Sequence, residues 1–351
     1  MIGKMKALVK HHSKYGAQIE TIDIPKIGVN DVLVKVKAVS ICGTDLHIYK
    51  WDDWAKQRVT PPYTFGHEFC GEIVEKGNSV TGLNIGDYVS GETHFVCYEC
   101  KQCLNEKFHL CNKTRILGVD TNGCFADYVK IPSQNIWKNN KDLPYKFATI
   151  QEPMGNAVHT VLSSNVPTKT VAIIGCGPIG LMAVAIAKAC GAGKVIAIDI
   201  NSYRLNLANK MKADYTFNSL ECDIFQEVMK ITNGNGVDIV CEMSGNENAI
   251  KEGLQILTNG GDFNILSLPT KEIGIDFTNN VVFKGIKIQG ITGRKMYSTW
   301  NQTNELLRNK LVDLSPLVTH ELNFMDYEEG FELMEKGNCG KVVLYLEEEN
   351  K

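Results

Sequence analysis

The chain has 351 residues, of which 44% are hydrophobic and 22% charged, a balance typical of folded globular proteins with room for two domains. Its formal net charge of −3 gives no indication that nucleic acid or an anionic membrane is a partner. No apolar run approaches the roughly 20 residues of a membrane-spanning helix. The N-terminus has no apolar segment followed by a cleavage site, so we expect no secretion signal.

The first part of the chain has the pattern of a small β-rich domain. Residues 5–10 and 32–39 alternate apolar and polar side chains, as half-buried strands do. Residues 72–92 contain short strands separated by glycine and asparagine turns. We therefore predict a first domain over residues 1–155.

Within this domain, the stretch from Cys42 to Gly71 carries residue types that bind metals. Cys42 and His67 each stand beside a glycine, which would let the backbone turn and present the side chain. Thr44 and His47 lie between them, a hydroxyl and an imidazole that can carry a proton. A lone cysteine is usually a small core residue and a lone histidine a surface residue, but in combination these residues predict a catalytic zinc site.

Four cysteines then fall within fifteen residues: Cys97, Cys100, Cys103 and Cys111. Four thiolates close a tetrahedral shell, so this spacing predicts a structural zinc in a lobe over residues 92–115. An iron–sulfur cluster is the alternative, but its bacterial run ends C-x3-C-P, whereas the last gap here is seven residues with no proline after it. Clustered cysteines among the 12 of the chain also indicate a reducing compartment, the cytoplasm.

The pattern changes near Pro153, after which short apolar strands alternate with helices. This alternation predicts an α/β domain over residues 156–295, a doubly wound parallel sheet with helices on both faces. Its first strand leads into the motif Gly175-Cys176-Gly177-Pro178-Ile179-Gly180 and an alanine-rich helix, and Asp199 ends the next strand. This context is the Rossmann dinucleotide-binding fingerprint, in which the glycines admit the pyrophosphate to the helix N-terminus.

The acidic residue at the end of that second strand predicts the choice of cofactor. Asp199 would accept hydrogen bonds from the adenosine ribose, and a 2′-phosphate would meet a like charge, so NAD is favoured over NADP. Arg204 could hold such a phosphate, but beside the acid we interpret it as covering the adenine end. The other predicted cofactor contacts are Ile179, Leu266, Ser267, Leu268, Ile291 and Thr292.

Beyond residue 295 the alternation of strands and helices loosens. A helix around residues 303–309 and an apolar terminal strand, KVVLYL, are expected to pack back onto the first domain. Residues 296–351 are therefore predicted to form a C-terminal return segment.

Four motifs resemble those of the zinc-dependent medium-chain alcohol dehydrogenases: ICGTD at 41–45, GHE at 66–68, the four-cysteine lobe and GCGPIG at 175–180. The resemblance covers essentially the full length and implies a GroES-like catalytic first domain, a Rossmann NAD-binding domain, and one catalytic and one structural zinc. It implies that Cys42 and His67 bind the catalytic zinc. Many members use a second cysteine as the next ligand, where this chain has Glu152, so Glu152 and Glu68 are expected to share that role.

The same resemblance implies the reaction. Zinc would act as a Lewis acid on a secondary alcohol, hydride would pass to the nicotinamide, and the proton would leave through Thr44, a ribose hydroxyl and His47. Segments such as AVSICGTDLHIYKWDDW and EPMGNAVHT resemble family members that oxidise the 3-hydroxyl of L-threonine to 2-amino-3-oxobutanoate. A sorbitol-type polyol or 2,3-butanediol is the alternative substrate. A non-catalytic NAD or zinc sensor is disfavoured because every residue of the site is present.

For some residues the sequence supports two possible roles. Trp51 and Trp54 are suited to a pocket wall or to the core, and His94 to a pocket border or to a satisfied polar position. Arg294 could hold the cofactor pyrophosphate or a substrate carboxylate. The family resemblance also implies a homotetramer, with weak support from apolar late strands such as KIQGITG.

Overall fold

A computed structural model describes residues 2–346 of the chain. The strands are β1 (Lys4–Lys10), β2 (Gln18–Asp23), β3 (Asp31–Ser40), β4 (Tyr63–Thr64), β5 (Glu68–Lys76), β6 (Tyr88–Gly91), β7 (His94–Phe95), β8 (Arg115–Ile116), β9 (Tyr128–Pro132), β10 (Ile136–Lys138), β11 (Thr170–Ile174), β12 (Lys194–Asp199), β13 (Tyr215–Asn218), β14 (Val237–Glu242), β15 (Leu257–Ile265), β16 (Lys287–Gly290), β17 (Val318–Asn323) and β18 (Lys341–Tyr345).

The helices are α1 (Gly43–Lys50), α2 (Asp53–Arg58), α3 (Lys101–Leu104), α4 (Tyr145–Ala148), α5 (Gln151–Val161), α6 (Pro178–Ala189), α7 (Ser202–Lys210), α8 (Ile224–Ile231), α9 (Glu247–Ile256), α10 (Ser298–Arg308) and α11 (Tyr327–Lys336). Short 3₁₀ turns occur at Phe108–Leu110, Ser133–Asn135 and Phe324–Asp326, and a π-helical turn occurs at Thr278–Val282. Within residues 2–346, no helix combines the length and apolarity needed to cross a membrane.

The described residues divide into two compact units, residues 2–152 with 318–346, and residues 153–317. The return to the first unit therefore begins at residue 318 and not at the expected residue 296. Helix α10, which was expected to pack on the first domain, belongs instead to the second unit. It buries an apolar face that includes Trp300 and Leu306, while its polar face remains exposed. Strand β18 does lie in the first unit, where it pairs with β3.

The first unit is built around β3, which is covered on both faces. β3 pairs antiparallel with β5, β9 and β18, in a sheet whose main path is β10-β6-β5-β3-β18-β17. Alternate side chains of β3 enter different cores: Val34 packs in a cluster with Phe69, and Leu33 in a cluster with Ala7. A smaller sheet, β2-β1-β4, and the β7-β8 hairpin complete this β-rich unit.

The second unit contains a parallel sheet with the strand order β13-β12-β11-β14-β15-β16. Every neighbouring pair in it is parallel, and apolar residues such as Ile196, Val240 and Phe263 fill its core. Numbered from β11, the order is 3-2-1-4-5-6, that of a dinucleotide-binding doubly wound sheet. Because strand order reverses beside β11, a ligand is expected outside the carboxyl ends of the strands there. The predicted fold class is confirmed for both units.

Candidate active site

The register of two antiparallel strands brings the Cys42 and His67 segments together. β3 ends at Ser40, β5 begins at Glu68, and these two residues are direct partners in the ladder. Cys42 follows the end of β3 as the N-cap of α1, and His67 immediately precedes β5. Residues far apart in the chain therefore become neighbours through strand pairing.

One of the two glycines beside these side chains is required by the backbone. Gly66 has φ +91°, and a Cβ there would lie 2.3 Å from the ring of Phe125. Gly43 has no positive φ, and an added Cβ would meet no atom within 4 Å. The expected need for glycine therefore holds at Gly66 and not at Gly43.

Cys42, His67 and Glu68 each offer a ligand atom, and the three atoms lie within 4.8 Å of one another. A thiolate, an imidazole and a carboxylate are donors that zinc accepts, and three protein ligands leave a position for substrate. Asp45 supports two of them: its Oδ2 accepts a hydrogen bond from the Cys42 N–H at 2.9 Å, and its Oδ1 lies 3.5 Å from Nδ1 of His67. The residues present therefore fit a catalytic zinc with an outer carboxylate that orients its histidine.

The surroundings of His67 favour positive charge. Burial is the largest influence and lowers the pKa of His67, but the Asp45 carboxylate and the Cys42 thiol outweigh it, so the pKa is raised well above its usual value. The field that retains a proton on this imidazole also favours a metal cation at the same place.

Lys341, which the sequence analysis does not single out, contacts Glu68 of the predicted zinc-binding group. Its Nζ is fully buried, donates to the Ile41 carbonyl at 3.0 Å and forms a short contact with Oε2 of Glu68. The hydroxyl of Ser40 donates to the same carboxylate oxygen. Glu68 Oε1 is buried without a hydrogen-bond partner among residues 2–346, so one oxygen is anchored and the other is available.

In this buried pair, each side chain shifts the pKa of the other. Burial is the largest influence on Glu68 and raises its pKa, with Lys341 opposing that rise. Burial lowers the pKa of Lys341, but Glu68 outweighs it and the pKa is raised. The sequence does contain a sign of this pair. Lys341 is the first residue of the apolar strand KVVLYL, and a charge buried in such a strand requires a partner of opposite charge.

Glu152 occupies a different position from Glu68. It is 7% exposed in the first turn of α5, and its Oε1 accepts a hydrogen bond from Thr93 at 3.0 Å. Among the described residues, the group of mutually close ligand atoms contains Glu68 and not Glu152. The sharing of the ligand role between these two carboxylates stays a prediction.

Thr44 and His47 lie three residues apart on α1, on one face of the helix. Thr44 is half-buried, whereas the His47 side chain is 56% exposed. Nδ1 of His47 contacts the carboxylate of Asp52, which also accepts the Ala55 N–H at 3.1 Å as the N-cap of α2. Burial raises the pKa of Asp52, but these two contacts outweigh it and lower the pKa. Thr44 therefore offers a partly buried hydroxyl, and His47 offers a solvent-exposed imidazole next to the Asp52 carboxylate.

The two tryptophans differ in their surroundings. Trp51 packs against the main core of the first unit, with Lys10 Nζ 5.4 Å from the centre of its ring, so core packing describes it. Trp54 is 40% exposed, and its ring lies 5.9 Å from that of His47.

His94 and Arg294 are both held by nearby protein groups. The His94 N–H donates to Glu92 at 2.8 Å, and its Nδ1 is 3.3 Å from the same carboxylate oxygen. Arg294 is 1% exposed in the second unit, where its Cδ would lie 3.0 Å from a Cβ added at Gly155.

The four cysteines of the lobe surround one point. Sulfur–sulfur separations are 3.5 Å for Cys111–Cys97, 3.6 Å for Cys100–Cys103 and 4.0 Å for Cys97–Cys103. Zinc–sulfur bonds of about 2.3 Å in a tetrahedron separate the sulfurs by roughly 3.8 Å. Backbone N–H groups also donate toward the sulfurs, and those of Cys103 and Asn112 lower the pKa of Cys100 to about 6. The residues fit a structural zinc.

The glycine motif forms the predicted turn between β11 and α6. Gly175 has φ +92°, and a Cβ there would lie 2.8 Å from the backbone N of Ser244, while one at Gly180 would lie 1.9 Å from the Gly175 carbonyl oxygen. A Cβ at Gly177, the N-cap of α6, would meet nothing within 4 Å. The turn is therefore closely packed at Gly175 and Gly180 but open at Gly177, where the N-terminus of α6 could accept a pyrophosphate.

Asp199 ends β12 and is tied to this turn. One carboxylate oxygen accepts the Cys176 N–H at 2.6 Å and the other accepts the Asn201 N–H at 2.8 Å. Arg204 lies half-buried on α7, and its Nε has no hydrogen-bond partner among residues 2–346. The remaining predicted cofactor contacts, Leu266, Ser267, Leu268, Ile291 and Thr292, directly follow the carboxyl ends of β15 and β16.

Comparison with known proteins assigns the family. The alcohol dehydrogenase GroES-like domain matches residues 28–142, and the zinc-binding dehydrogenase domain matches residues 178–309. The chain is 55% identical to the L-threonine 3-dehydrogenase of Bacillus velezensis, over 98% of this chain and 99% of that protein. The chain belongs to the zinc-dependent medium-chain alcohol dehydrogenase family. It is an enzyme of the zinc- and NAD(P)-dependent type, as predicted.

Solved structures of medium-chain dehydrogenases share the fold of the whole chain. The 2R,3R-butanediol dehydrogenase from Bacillus subtilis superposes with a TM-score of 0.88 at 29% identity, covering 98% of this chain and 100% of that one. A zinc-binding dehydrogenase from Sinorhizobium meliloti with NADP bound gives a TM-score of 0.90 at 27% identity, covering 98% and 99%.

Proposed function

We propose that this dehydrogenase oxidises the 3-hydroxyl of L-threonine to 2-amino-3-oxobutanoate with NAD as the hydride acceptor. The observation that carries the proposal is the 55% identity, over 98% of the chain, to a relative named L-threonine 3-dehydrogenase. The close grouping of Cys42, His67 and Glu68 supports it, because these donors suit a zinc with a position free for substrate.

Within this proposal, Cys42 and His67 hold the catalytic zinc, and Glu68 and Glu152 share the carboxylate role. Bound there, zinc supplies Lewis acidity toward the substrate hydroxyl. Asp45 orients His67, and Lys341 holds one oxygen of Glu68. These groups fix the donor atoms before substrate arrives, which lowers the cost of reorganisation during the reaction.

Thr44 and His47 carry the proton released from the substrate hydroxyl. The half-buried Thr44 hydroxyl accepts this proton as it donates its own to the ribose hydroxyl that bound NAD would supply. The exposed His47 ring would take the proton from that hydroxyl and release it to solvent. The Asp52 carboxylate contacts Nδ1 of His47 and orients the ring at the outer end of this path.

The cofactor in this proposal is NAD, held by the glycine turn at Gly175, Gly177, Ile179 and Gly180, by Asp199 and Arg204, and by residues 266–268 and 291–292. Support comes from Asp199, an acid at the end of β12, where ribose hydroxyls are accepted and a 2′-phosphate is repelled.

The Asp199→Ala variant should lose NAD preference, with kcat/KM for NAD falling at least about tenfold. An unchanged NAD/NADP ratio in steady-state kinetics would count against this assignment, and the exposed Asp276→Ala is the matched control.

A second candidate substrate is a polyol or 2,3-butanediol, because a 2R,3R-butanediol dehydrogenase has the same fold at 29% identity. A panel of L-threonine, sorbitol and 2,3-butanediol at fixed NAD separates the two proposals. L-Threonine should give the highest kcat/KM. Strong activity on sorbitol or butanediol with none on L-threonine would overturn the choice.

We also propose a second, structural zinc in the cysteine lobe, a homotetrameric assembly and a cytoplasmic location. Strand β16 is exposed along its length at the edge of the parallel sheet, and Phe277, Val282 and Phe283 are exposed nearby in the chain. Such an edge with apolar neighbours favours association of copies. The cysteines form no disulfide among the described residues, which agrees with a reducing compartment.

A further inference from the structure

Glu242 is a fully buried carboxylate in the second unit that the proposed chemistry does not use. It accepts hydrogen bonds from the Ser244 N–H at 2.8 Å, the Gly245 N–H at 3.1 Å and the hydroxyls of Ser244 and Ser267. Within residues 2–346, no lysine, arginine or histidine forms an ion pair with it. Its contacts are therefore neutral donors, and a negative charge at this position is not neutralised by a cation.

Glu242 lies between two segments that are predicted to hold the cofactor. It ends β14 and is paired with Ile174 of β11 on one side and with Ile265 of β15 on the other. Ile174 immediately precedes the glycine turn, and Ile265 immediately precedes Leu266–Leu268. The hydrogen bond from Ser267 ties the second segment to the carboxylate.

The sheet order indicates which end of the cofactor lies nearest. A doubly wound sheet has two mononucleotide-binding halves, one on each side of the point where strand order reverses. Asp199 on β12 marks the adenosine half, so β14 and β15 belong to the nicotinamide half. Glu242, at the carboxyl end of β14, therefore belongs to the half of the sheet that is expected to receive the nicotinamide.

We propose that Glu242 is a positioning residue for the nicotinamide end of the cofactor and that its charge favours the oxidised form. The nicotinamide ring of NAD⁺ carries a positive charge, which hydride transfer removes. A fixed anion in a water-poor site stabilises the cationic ring more than the neutral one. The inference rests on the proposed use of NAD and adds a residue that biases the enzyme toward binding the oxidant.

Binding measurements without substrate test this directly. Dissociation constants for NAD⁺, NADH and ADP-ribose are measured by titration calorimetry on the parent enzyme and on Glu242→Gln. The expected result is affinity for NAD⁺ weaker by about tenfold, with NADH and ADP-ribose changed by less than about twofold. ADP-ribose lacks the nicotinamide, so it reports on the adenosine half and on folding.

Two further variants separate charge from structure. Ser244→Ala removes one neutral hydroxyl donor to the carboxylate but keeps the anion, so the ratio of the NAD⁺ and NADH constants should stay at the parent value. Glu242→Asp keeps the charge while disturbing the contacts, and it should also retain the ratio, even where Glu242→Gln does not fold. A ratio that is unchanged in Glu242→Gln, or that shifts as strongly in Glu242→Asp, overturns the inference. Because no substrate is present, failure of L-threonine oxidation would not affect this result.

Discussion

The Lys341–Glu68 pair shows how a single residue can support the predicted metal ligands. Both side chains are buried, and each is the other's main opposite charge. Removing one partner of a buried pair leaves an uncompensated charge, which costs far more than the pair contributes to stability. The pair therefore makes Glu68 dependent on a residue from the last strand of the described chain.

We predict that Lys341→Met lowers the free energy of unfolding by about 3–5 kcal/mol, because Glu68 is left buried and unpaired. Lys341→Arg should retain much of the stability, and Lys341→Met with Glu68→Gln should recover most of the loss. Urea unfolding of the zinc-free proteins measures these differences, because a bound zinc ion would itself compensate the Glu68 carboxylate. Lys336→Met, at an exposed position, serves as the control. Equal stability of Lys341→Met and the parent would contradict the role of the pair.

At the scale of elements, helix α1 begins at a predicted zinc ligand and carries the residues of the predicted proton path. Cys42 is its N-cap, Thr44 lies in its first turn and His47 lies in its last turn. A short helix therefore sets the distance between metal and solvent. The cysteine lobe is a second such element, in which four local side chains define one site.

The His47→Asn variant should lower turnover most at low pH, because asparagine cannot accept a proton and hydroxide is then too scarce to replace it. Zinc content should remain that of the parent. The pH dependence of kcat for the variant, the parent and His12→Asn, an exposed control, measures the effect. Parallel profiles for His47→Asn and the parent would argue against the relay.

The Cys100→Ser variant should lose about one zinc per chain and unfold at lower temperature, because the tetrahedral shell lacks a ligand. Metal analysis and thermal unfolding report the two effects. Cys190→Ser, a half-buried cysteine outside both clusters, should keep the parent's zinc content. Full activity of Cys100→Ser with unchanged metal would exclude a structural zinc at this lobe.

At the scale of the whole molecule, association of copies depends on surfaces that the fold leaves open. Phe283 is 74% exposed in the segment just before the edge strand β16. Large exposed apolar side chains beside an unpaired edge are typical of interfaces between subunits. The proposed assembly would therefore depend on the folded second unit and not on any one motif.

The Phe283→Asp variant should have a lower molar mass in solution than the parent, because a charge in an apolar interface must be desolvated. Light scattering after size-exclusion chromatography measures the mass. Leu104→Asp, an exposed apolar residue in the cysteine lobe, should leave the mass unchanged. A parent enzyme that is monomeric at all concentrations would contradict the proposed tetramer.

The sequence by itself determined the features that depend on neighbouring residues. Four cysteines within fifteen residues and a glycine turn between a strand and a helix are local patterns, and backbone geometry alone brings their atoms together. The β-rich and α/β characters of the two parts were equally visible, because the period of apolar residues reflects local structure.

The tertiary structure decided what depends on pairing between distant segments. Lys341 meets Glu68 across 273 positions of the chain, because β18 pairs with β3 and β3 pairs with β5. The same strand pairing selects Glu68 over Glu152 for the close cluster, and the carboxyl ends of parallel strands bring Glu242 beside Ser267. No spacing in the sequence encodes these contacts, since sheet register is set by the packing of the entire core.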